Sequence, residues 1–382
     1  MYSTTSSLSK EISPVEKPVQ FERPQFGASL IQAGSLINAP QARNDFSVSG
    51  DGLTAAVLDT GLRVTHLDFS DRVVAQQNFT TDNGSNSNDA SDGNGHGTNV
   101  AGIIAANRFH IGIAPGANII PIKVLSNSGG GSFTAIRDAL QWVIDNQSTH
   151  NITVVCMSLG DGQNYTDDAL FSSDEIRSKI QTLRNNKVAV VVAAGNDFFT
   201  HSSRQGMSYP AIIRETVSVG AVYDAREGGF TYSSGASTTE SAPDRITPFS
   251  QRLHETVNGA TRTEIFAPGA PITSSGILDD DAESTQHGTS QATPVTAGVI
   301  LLLQEYYLRL TGSLPSVDEL ETYLRAGGVM INDGDDEQDN VTNTGLNFLR
   351  IDVVGALENI NSRLQKAMFE EQKTLLAIGD GS

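Results

Sequence analysis

Five short apolar runs rich in β-branched residues constrain the fold of this chain more than any other feature. They lie at residues 53–58, 118–124, 152–157, 188–193 and 216–222. Stretches with helical character lie between or after them, near residues 96–106, 132–146, 172–185 and 290–310. Apolar strands that alternate with helices are typical of a parallel sheet covered by helices on both faces. The sequence therefore predicts a three-layer α/β fold, with functional groups at the carboxyl ends of the strands.

Charge and composition narrow the functional class. The chain of 382 residues carries a formal net charge of −19, which disfavours nucleic acids and anionic membranes as partners because both are polyanionic. The longest apolar runs fall far short of the ~18 residues that a membrane span needs. The single cysteine, Cys156, excludes an internal disulfide. We expect a globular protein that acts as a monomer, with no nucleic acid and no membrane among its partners.

A nucleophile at a helix N-terminus is predicted by residues 287–294, whose sequence is HGTSQATP. Ser290 lies among small residues, and an apolar helical run follows it. Unpaired backbone N–H groups and the helix dipole favour negative charge at such a place. Pro294 is expected in the first turn, where a proline loses no hydrogen bond. Taken alone this segment is weak evidence, since Ser290 could simply cap the helix.

Three further motifs contain polar residues that could act together with Ser290. They are Asp59 in AAVLDTG, His96 in GHGT and Asn196 in AAGN. In isolation Asp59 could form a turn, His96 could belong to a loop and Asn196 could adopt a left-handed turn. Together with Ser290 they supply an acid, a base and a nucleophile in the order Asp, His, Ser. That order is one of the known chain orders of serine hydrolase triads.

On these motifs the chain resembles the subtilisin-like serine proteases, the subtilase or peptidase S8 family, from about residue 37 to about residue 360. The resemblance implies the three-layer subtilisin-like fold with a mostly parallel sheet flanked by helices. It also implies a serine endopeptidase that hydrolyses peptide bonds through an acyl-enzyme on Ser290. His96 would act as the base, Asp59 would orient it, and Asn196 would bind the oxyanion.

The resemblance implies a polypeptide substrate and two segments that bind it. One segment would pair with the extended substrate backbone, and the other would form the facing wall of the primary specificity pocket. These segments are Ser158, Leu159 and Gly160, followed by Ala193, Ala194 and Gly195. Asp161 and Asp197 lie near this pocket in the resemblance. Either they favour a basic residue before the scissile bond, or they point to solvent.

The chain departs from the family pattern at several positions. Asn99 stands where relatives usually carry histidine, and Gln291 stands where they usually carry methionine. Residues 105–112 resemble a shortened calcium-binding loop, and Asp68 matches a carboxylate that helps to ligate that ion. We expect no cofactor to be required for the chemistry and no metal at the site. A structural calcium ion stays an alternative, which the shortened loop disfavours.

An acidic segment contains Asp333, Asp335, Glu337 and Asp339, spaced like the first ligands of a calcium loop. The glycine expected at the sixth position and the glutamate expected at the twelfth are both absent, so a solvated acidic turn is the favoured interpretation. Residues 226–245, which contain many Ser, Thr and Gly residues, predict a surface loop.

Three regions are expected: an N-terminal extension at residues 1–36, a peptidase domain at 37–363 and a C-terminal tail at 364–382. The chain as given shows no secretory signal pattern, which fits a cytoplasmic enzyme or a processed form of a secreted precursor. The proline-containing N-terminal extension could lie across the cleft as a self-inhibitor.

Two other functions stay open at this point. An acyl-transfer enzyme, a transpeptidase or macrocyclase, would use the same acyl-enzyme and deliver it to an amine instead of water. A catalytically silent binding module would keep the fold and the cleft without turnover. The presence of Asp59, His96, Asn196 and Ser290 counts against the binding module.

Overall fold

The structure is a computed structural model that describes residues 18–21, 30–334 and 336–379. The strands are β1 (Pro18–Phe21), β2 (Thr54–Asp59), β3 (Gln77–Asn78), β4 (Asn118–Lys123), β5 (Ile152–Met157), β6 (Ala189–Ala193), β7 (Val217–Tyr223), β8 (Phe230–Tyr232), β9 (Ser237–Thr238), β10 (Ile265–Ala270), β11 (Ile272–Ser275), β12 (Glu283–Gln286), β13 (Val329–Asn332) and β14 (Asn347–Arg350). The helices are α1 (Leu30–Leu36), α2 (Ala39–Phe46), α3 (His96–Ala105), α4 (Phe133–His150), α5 (Glu175–Asn185), α6 (Thr289–Thr311), α7 (Val317–Gly327) and α8 (Val353–Gly379).

One large sheet organises the molecule. Its nine strands run in the order β13, β14, β10, β7, β6, β5, β2, β4, β3, and all neighbours are parallel except β13 and β14. The five apolar runs of the sequence form β2, β4, β5, β6 and β7, which lie side by side in this sheet. The predicted mostly parallel α/β fold is therefore confirmed.

Helices cover both faces because successive side chains of each strand point to opposite sides. Ala55 and Val57 of β2 belong to the larger apolar core, which they share with α3 and α6. Ala56 and Leu58 belong to the second core, which they share with α4 and α5. Strands that are buried on both faces are mostly apolar, as β2 is from Ala55 to Leu58.

Helix α6 runs through the larger core. Residues 289–304 are all buried, so the helix is mostly apolar around its whole circumference over this stretch. No helix in the described ranges is both long enough and apolar enough to cross a membrane. Pro294 is the sixth residue of α6, so its predicted place in the first turn is wrong.

The N-terminal region adds to the body of the fold. Strand β1 pairs antiparallel with β8, in a small sheet of order β1, β8, β9. In α1, Leu30 and Ala33 are buried in the larger core. Residues 1–17 and 22–29 lie outside the described residues, so the position of the extension relative to the cleft stays a prediction. The predicted surface loop at residues 226–245 is wrong in part, because it contains β8 with Phe230 and Tyr232 buried.

The solvated acidic turn predicted after β13 is wrong in part, because its first acid is buried although Asp336 is exposed. Asp333 is fully buried and pairs with the fully buried Arg252, with 3.0 Å between Oδ2 and Nε. The Arg252 guanidinium also lies 3.6 Å from the centroid of the Phe198 ring. Asp335 lies outside the described residues. Asp333 is therefore buried because it pairs with a buried arginine from a distant part of the chain. No local sequence pattern predicts this pair.

We expect Arg252→Leu to lower the free energy of unfolding by about 3–5 kcal/mol, because Asp333 would be left buried without its counter-charge. Urea denaturation of a Ser290→Ala background, which prevents autolysis, would measure this loss. Arg226→Leu is the matched control: its pair with Glu240 is exposed, and we expect its loss to stay below about 1 kcal/mol. Equal losses for the two variants would contradict the prediction.

Candidate active site

The sequence-predicted site residues come together at the carboxyl edge of the sheet. Asp59 is the last residue of β2, Ser158 follows β5 directly, and Asn196 lies three residues after the end of β6. His96 is the first residue of α3, and Ser290 is the second residue of α6. The carboxyl ends of neighbouring parallel strands and the N-termini of two buried helices therefore define one site.

Asp59 and His96 form a buried hydrogen-bonded pair. The distance between Asp59 Oδ1 and His96 Nδ1 is 2.7 Å, and both side chains are almost fully buried. The same carboxylate oxygen accepts a hydrogen bond from the backbone N–H of Thr60 at 2.7 Å. No described residue forms a hydrogen bond with His96 Nε2. The imidazole is thus held through Nδ1, while its buried Nε2 has no hydrogen-bond partner among the described residues.

Two residues that the sequence reasoning missed support this pair. Asp92 accepts a hydrogen bond from Thr60 Oγ1 at 3.0 Å and two from Thr98, at 3.0 Å from its N–H and 2.7 Å from its hydroxyl. Lys123 is fully buried in β4 beside β2, and its Nζ donates to the carbonyl of Thr60 at 2.5 Å. A lysine directly after the apolar residues 119–122 was the available signal, because a buried charge needs partners.

The start of α6 is connected to the end of β5 by two hydrogen bonds. Pro294 has no N–H, so the carbonyl of Ser290 lacks its usual helical donor. The hydroxyl of Ser158 donates to that carbonyl at 2.7 Å. In return, Ser290 Oγ donates to the carbonyl of Ser158 at 3.2 Å. The proline therefore creates an attachment point that holds the start of α6 in place.

Asn196 lies beside the start of α6. Its Oδ1 accepts hydrogen bonds from the N–H and the hydroxyl of Thr289, both at 2.9 Å, which leaves Nδ2 directed elsewhere. A methyl group on Gly288 would lie 3.3 Å from Asn196 Nδ2 and 3.4 Å from the backbone N of Ser290. The two nitrogens thus border the same small space. Two donors around one space are what an oxyanion requires.

The two proposed substrate-binding segments border the same edge. No described residue forms a hydrogen bond with the backbone of Leu159 or Gly160, although the Leu159 side chain is buried in the second core. On the facing segment, the N–H of Gly195 donates a hydrogen bond to Thr289 Oγ1 at 3.3 Å, and Gly195 adopts a positive φ of 116°. A side chain at Gly195 would be strained, which explains the glycine.

The two acidic residues near the pocket differ in their environment. Asp161 is used within the fold: it accepts hydrogen bonds from the N–H groups of Gln163 and Tyr209, both at 3.0 Å, and from the Tyr165 hydroxyl at 3.0 Å. Burial raises the pKa of Asp197, whose Oδ1 accepts a hydrogen bond from Thr200 at 3.2 Å. Neither residue points freely to solvent.

His287, which precedes the nucleophile loop, is a packing residue. Its ring lies 5.0 Å from that of Phe230 and 5.6 Å from that of Tyr232, in edge-on contacts. Burial lowers the pKa of His287 to about 3, so the ring is neutral near pH 7.

The carboxylate of Asp68 is occupied by internal hydrogen bonds. Its Oδ1 accepts from the N–H groups of Phe109 and His110 at 2.7 and 3.2 Å. Its Oδ2 accepts from Ser275 Oγ at 2.7 Å and lies 2.8 Å from His110 Nδ1. Within the described ranges, no group of three or more His, Cys, Asp or Glu side chains is arranged to hold a metal ion.

Comparisons with known proteins identify the family of this chain. The model of the subtilase family matches residues 50–325. The major intracellular serine protease of Bacillus subtilis (strain 168) is 30% identical over 68% of this chain and 70% of its own length. The alkaline serine exoprotease A of Vibrio alginolyticus is 35% identical over 69% of this chain and 41% of its own length. Serine protease AprX of Bacillus subtilis is 29% identical over 85% of this chain and 72% of its own length. The family match covers most of the chain and the relatives are named as serine proteases, so the chain belongs to the subtilase family of serine peptidases.

Proposed function

We propose that this serine peptidase hydrolyses peptide bonds within polypeptides through an acyl-enzyme on Ser290, with His96 as the general base and Asp59 as its orienting partner. The observation that carries the proposal is the buried 2.7 Å contact between Asp59 and His96, with His96 Nε2 left for proton exchange. A serine hydroxyl is a weak nucleophile near neutral pH, so it needs a base of this kind. A histidine can both accept and return the proton.

The proposed reaction has two stages. First, His96 Nε2 takes the hydroxyl proton while Ser290 Oγ bonds to the carbonyl carbon. The imidazolium then gives that proton to the leaving amine as the C–N bond breaks. In the second stage a water molecule attacks the carbonyl carbon of the acyl-enzyme and gives a proton to His96, which passes it to Ser290 Oγ as the C–Oγ bond breaks and the carboxyl product leaves. Asp59 stays ionised throughout and stabilises the imidazolium.

Asn196 Nδ2 and the backbone N–H of Ser290 are the proposed oxyanion donors. Support comes from the way Thr289 holds Asn196, because a donor that is fixed in advance needs no reorganisation during the reaction. The N-terminus of α6 adds its dipole in the same direction. Gly288 leaves the space between the two donors open, since a side chain there would start 3.3 Å from Asn196 Nδ2.

The proposed substrate is an extended polypeptide that adds as a strand beside residues 158–160, with Ala193, Ala194 and Gly195 as the opposite wall. The backbone of Leu159 and Gly160, free of partners among the described residues, supports this mode of binding. We also propose that the enzyme acts as a monomer, without a nucleic-acid or membrane partner and without a cofactor for the chemistry.

The central prediction concerns Ser290. A fluorophosphonate probe should label the wild type and the surface control Ser172→Ala, but not Ser290→Ala, and only the labelled proteins should cleave unfolded casein. Adding a peptide ester together with an amine would identify the acyl-transfer alternative, because ligated product would then exceed hydrolysed product. Folded wild-type protein that does not label would contradict the proposal and favour the binding module.

Asn196→Ala should lower kcat by about 10²–10³-fold with little change in KM, because the lost hydrogen bond forms mainly in the transition state. Loss of an oxyanion-hole asparagine in a subtilisin lowers kcat by this magnitude. Steady-state kinetics on a peptide amide substrate would test it. An unchanged kcat would exclude Asn196 from the oxyanion hole.

Asp68 should stabilise the fold without calcium. Burial alone would raise the pKa of Asp68, but hydrogen bonds from His110, Ser275 and Phe109 outweigh it and hold that pKa well below its usual 3.8. A depressed carboxyl pKa stabilises the folded state above about pH 3.8, and the stabilisation is lost as the pH falls towards the lower, folded-state value.

We therefore expect Asp68→Asn to lower the free energy of unfolding by about 2 kcal/mol at pH 7, with a smaller difference from wild type below pH 4. Urea denaturation in the Ser290→Ala background would measure the loss of unfolding free energy at pH 7 and below pH 4. Asp71→Asn, at an exposed position, is the control. Chelation by EDTA should leave the wild type unchanged. A large loss of stability in EDTA, restored by calcium, would contradict the proposal.

A further inference from the structure

Two amide side chains near the proposed nucleophile, those of Asn99 and Gln291, contact each other. Gln291, the residue after Ser290, donates from Nε2 to Oδ1 of Asn99 in α3, over 3.3 Å. Both side chains are fully buried. This contact links the helix that carries the proposed nucleophile to the helix that carries the proposed base. Asn99 and Gln291 therefore form one hydrogen-bonded unit.

Further amides extend this unit. Gln291 Nε2 also donates to Oε1 of Gln286 in β12 at 3.2 Å, and Gln286 Nε2 donates to the carbonyl of Gly95 at 3.3 Å. Gly95 directly precedes His96. Asn99 Nδ2 donates to the carbonyl and the hydroxyl of Ser284 at 2.8 and 3.0 Å. An uncharged network thus connects α6, α3 and β12 around the proposed base.

The network determines which way the Gln291 amide points. Its Nε2 faces two oxygen atoms, of Asn99 and Gln286, so a flipped amide would place oxygen against oxygen. Its Oε1 is buried, and no described residue donates a hydrogen bond to it. A methyl group on Gly288 would lie 3.0 Å from this Oε1 and 3.3 Å from Asn196 Nδ2. The Gln291 carbonyl oxygen therefore lies at the edge of the proposed oxyanion hole.

We propose that Gln291 is a positioning residue for this reaction: its amide holds the His96 helix, α3, against the Ser290 helix, α6. The side chain at this position must stay uncharged. The proposal rests on the proposed function. The requirement for a neutral side chain follows from its location, because a negative charge there would stand close to the developing oxyanion in a site with little water to screen it.

Gln291→Glu is the decisive variant, since it keeps the shape of the side chain and adds a titratable charge. We expect kcat to fall at least about tenfold at pH 8, with KM within about twofold of wild type. As the pH falls and the carboxyl takes up a proton, the ratio of variant kcat to wild-type kcat should rise. Fluorophosphonate titration of active serines would normalise each rate, so that misfolded molecules do not count.

Gln304→Glu is the matched control. Gln304 lies in the same helix, fully buried, and donates from Nε2 to the carbonyl of Thr153 at 3.2 Å. It lies 14 residues beyond Ser290, about 21 Å along the helix. A buried acid there should reduce stability in a similar way, but kcat per active serine should stay at the wild-type value at every pH. The proposal would be overturned if Gln291→Glu, like Gln304→Glu, left kcat per active serine at the wild-type value at every pH.

A second test covers the case in which Gln291→Glu does not fold. Asn99→Leu and Gln291→Leu each remove the contact between the helices, so each should lower kcat by about tenfold, and the double variant should lose little more than either single one. Additive losses would overturn the proposal. A wild type that neither labels nor cleaves would remove the proposed function, and the role of Gln291 with it. An active wild type with additive losses would remove only the role of Gln291.

Discussion

The burial of α6 is the constraint on which the rest of the site depends. A helix surrounded by protein from residue 289 to residue 304 cannot shift without breaking the larger core, so the place of its first turn is determined by packing. Pro294 then frees the Ser290 carbonyl, and Ser158 binds it. The proposed nucleophile is thus held by apolar packing along the helix and by a specific polar contact at its start.

Burial of the site requires that each charge has a partner. Asp59 has His96 and the N–H of Thr60, while Lys123 contacts the Thr60 carbonyl from the neighbouring strand. Far from the site, Asp333 and Arg252 follow the same rule. Unpaired, each of these groups would destabilise the fold by several kcal/mol. The polar contacts therefore specify one arrangement of the loops, whereas the apolar core supplies most of the driving force.

The subtilase fold also explains why two neutral residues near Ser290, Asn99 and Gln291, are hydrogen-bonded to each other. Asn99 and Gln291 belong to different helices, far apart in the sequence, and meet only because α3 packs against α6. In the sequence no local pattern connects the two residues. In the fold they are one hydrogen-bonded unit that ends at the edge of the proposed oxyanion hole.

The sequence by itself determined the fold class, because continuous apolar runs at β2, β4, β5, β6 and β7 can be buried on both faces only in a covered parallel sheet. Its motifs also predicted Asp59, His96, Asn196 and Ser290 as the residues of the site. It could not locate the residues that contact them. Asp92, Lys123 and Ser158 contact residues from other elements, and Arg252 pairs with an acid that looks solvated in the chain. Only the tertiary structure decided these contacts, because a local pattern records which residues prefer burial but not which distant polar group meets them there.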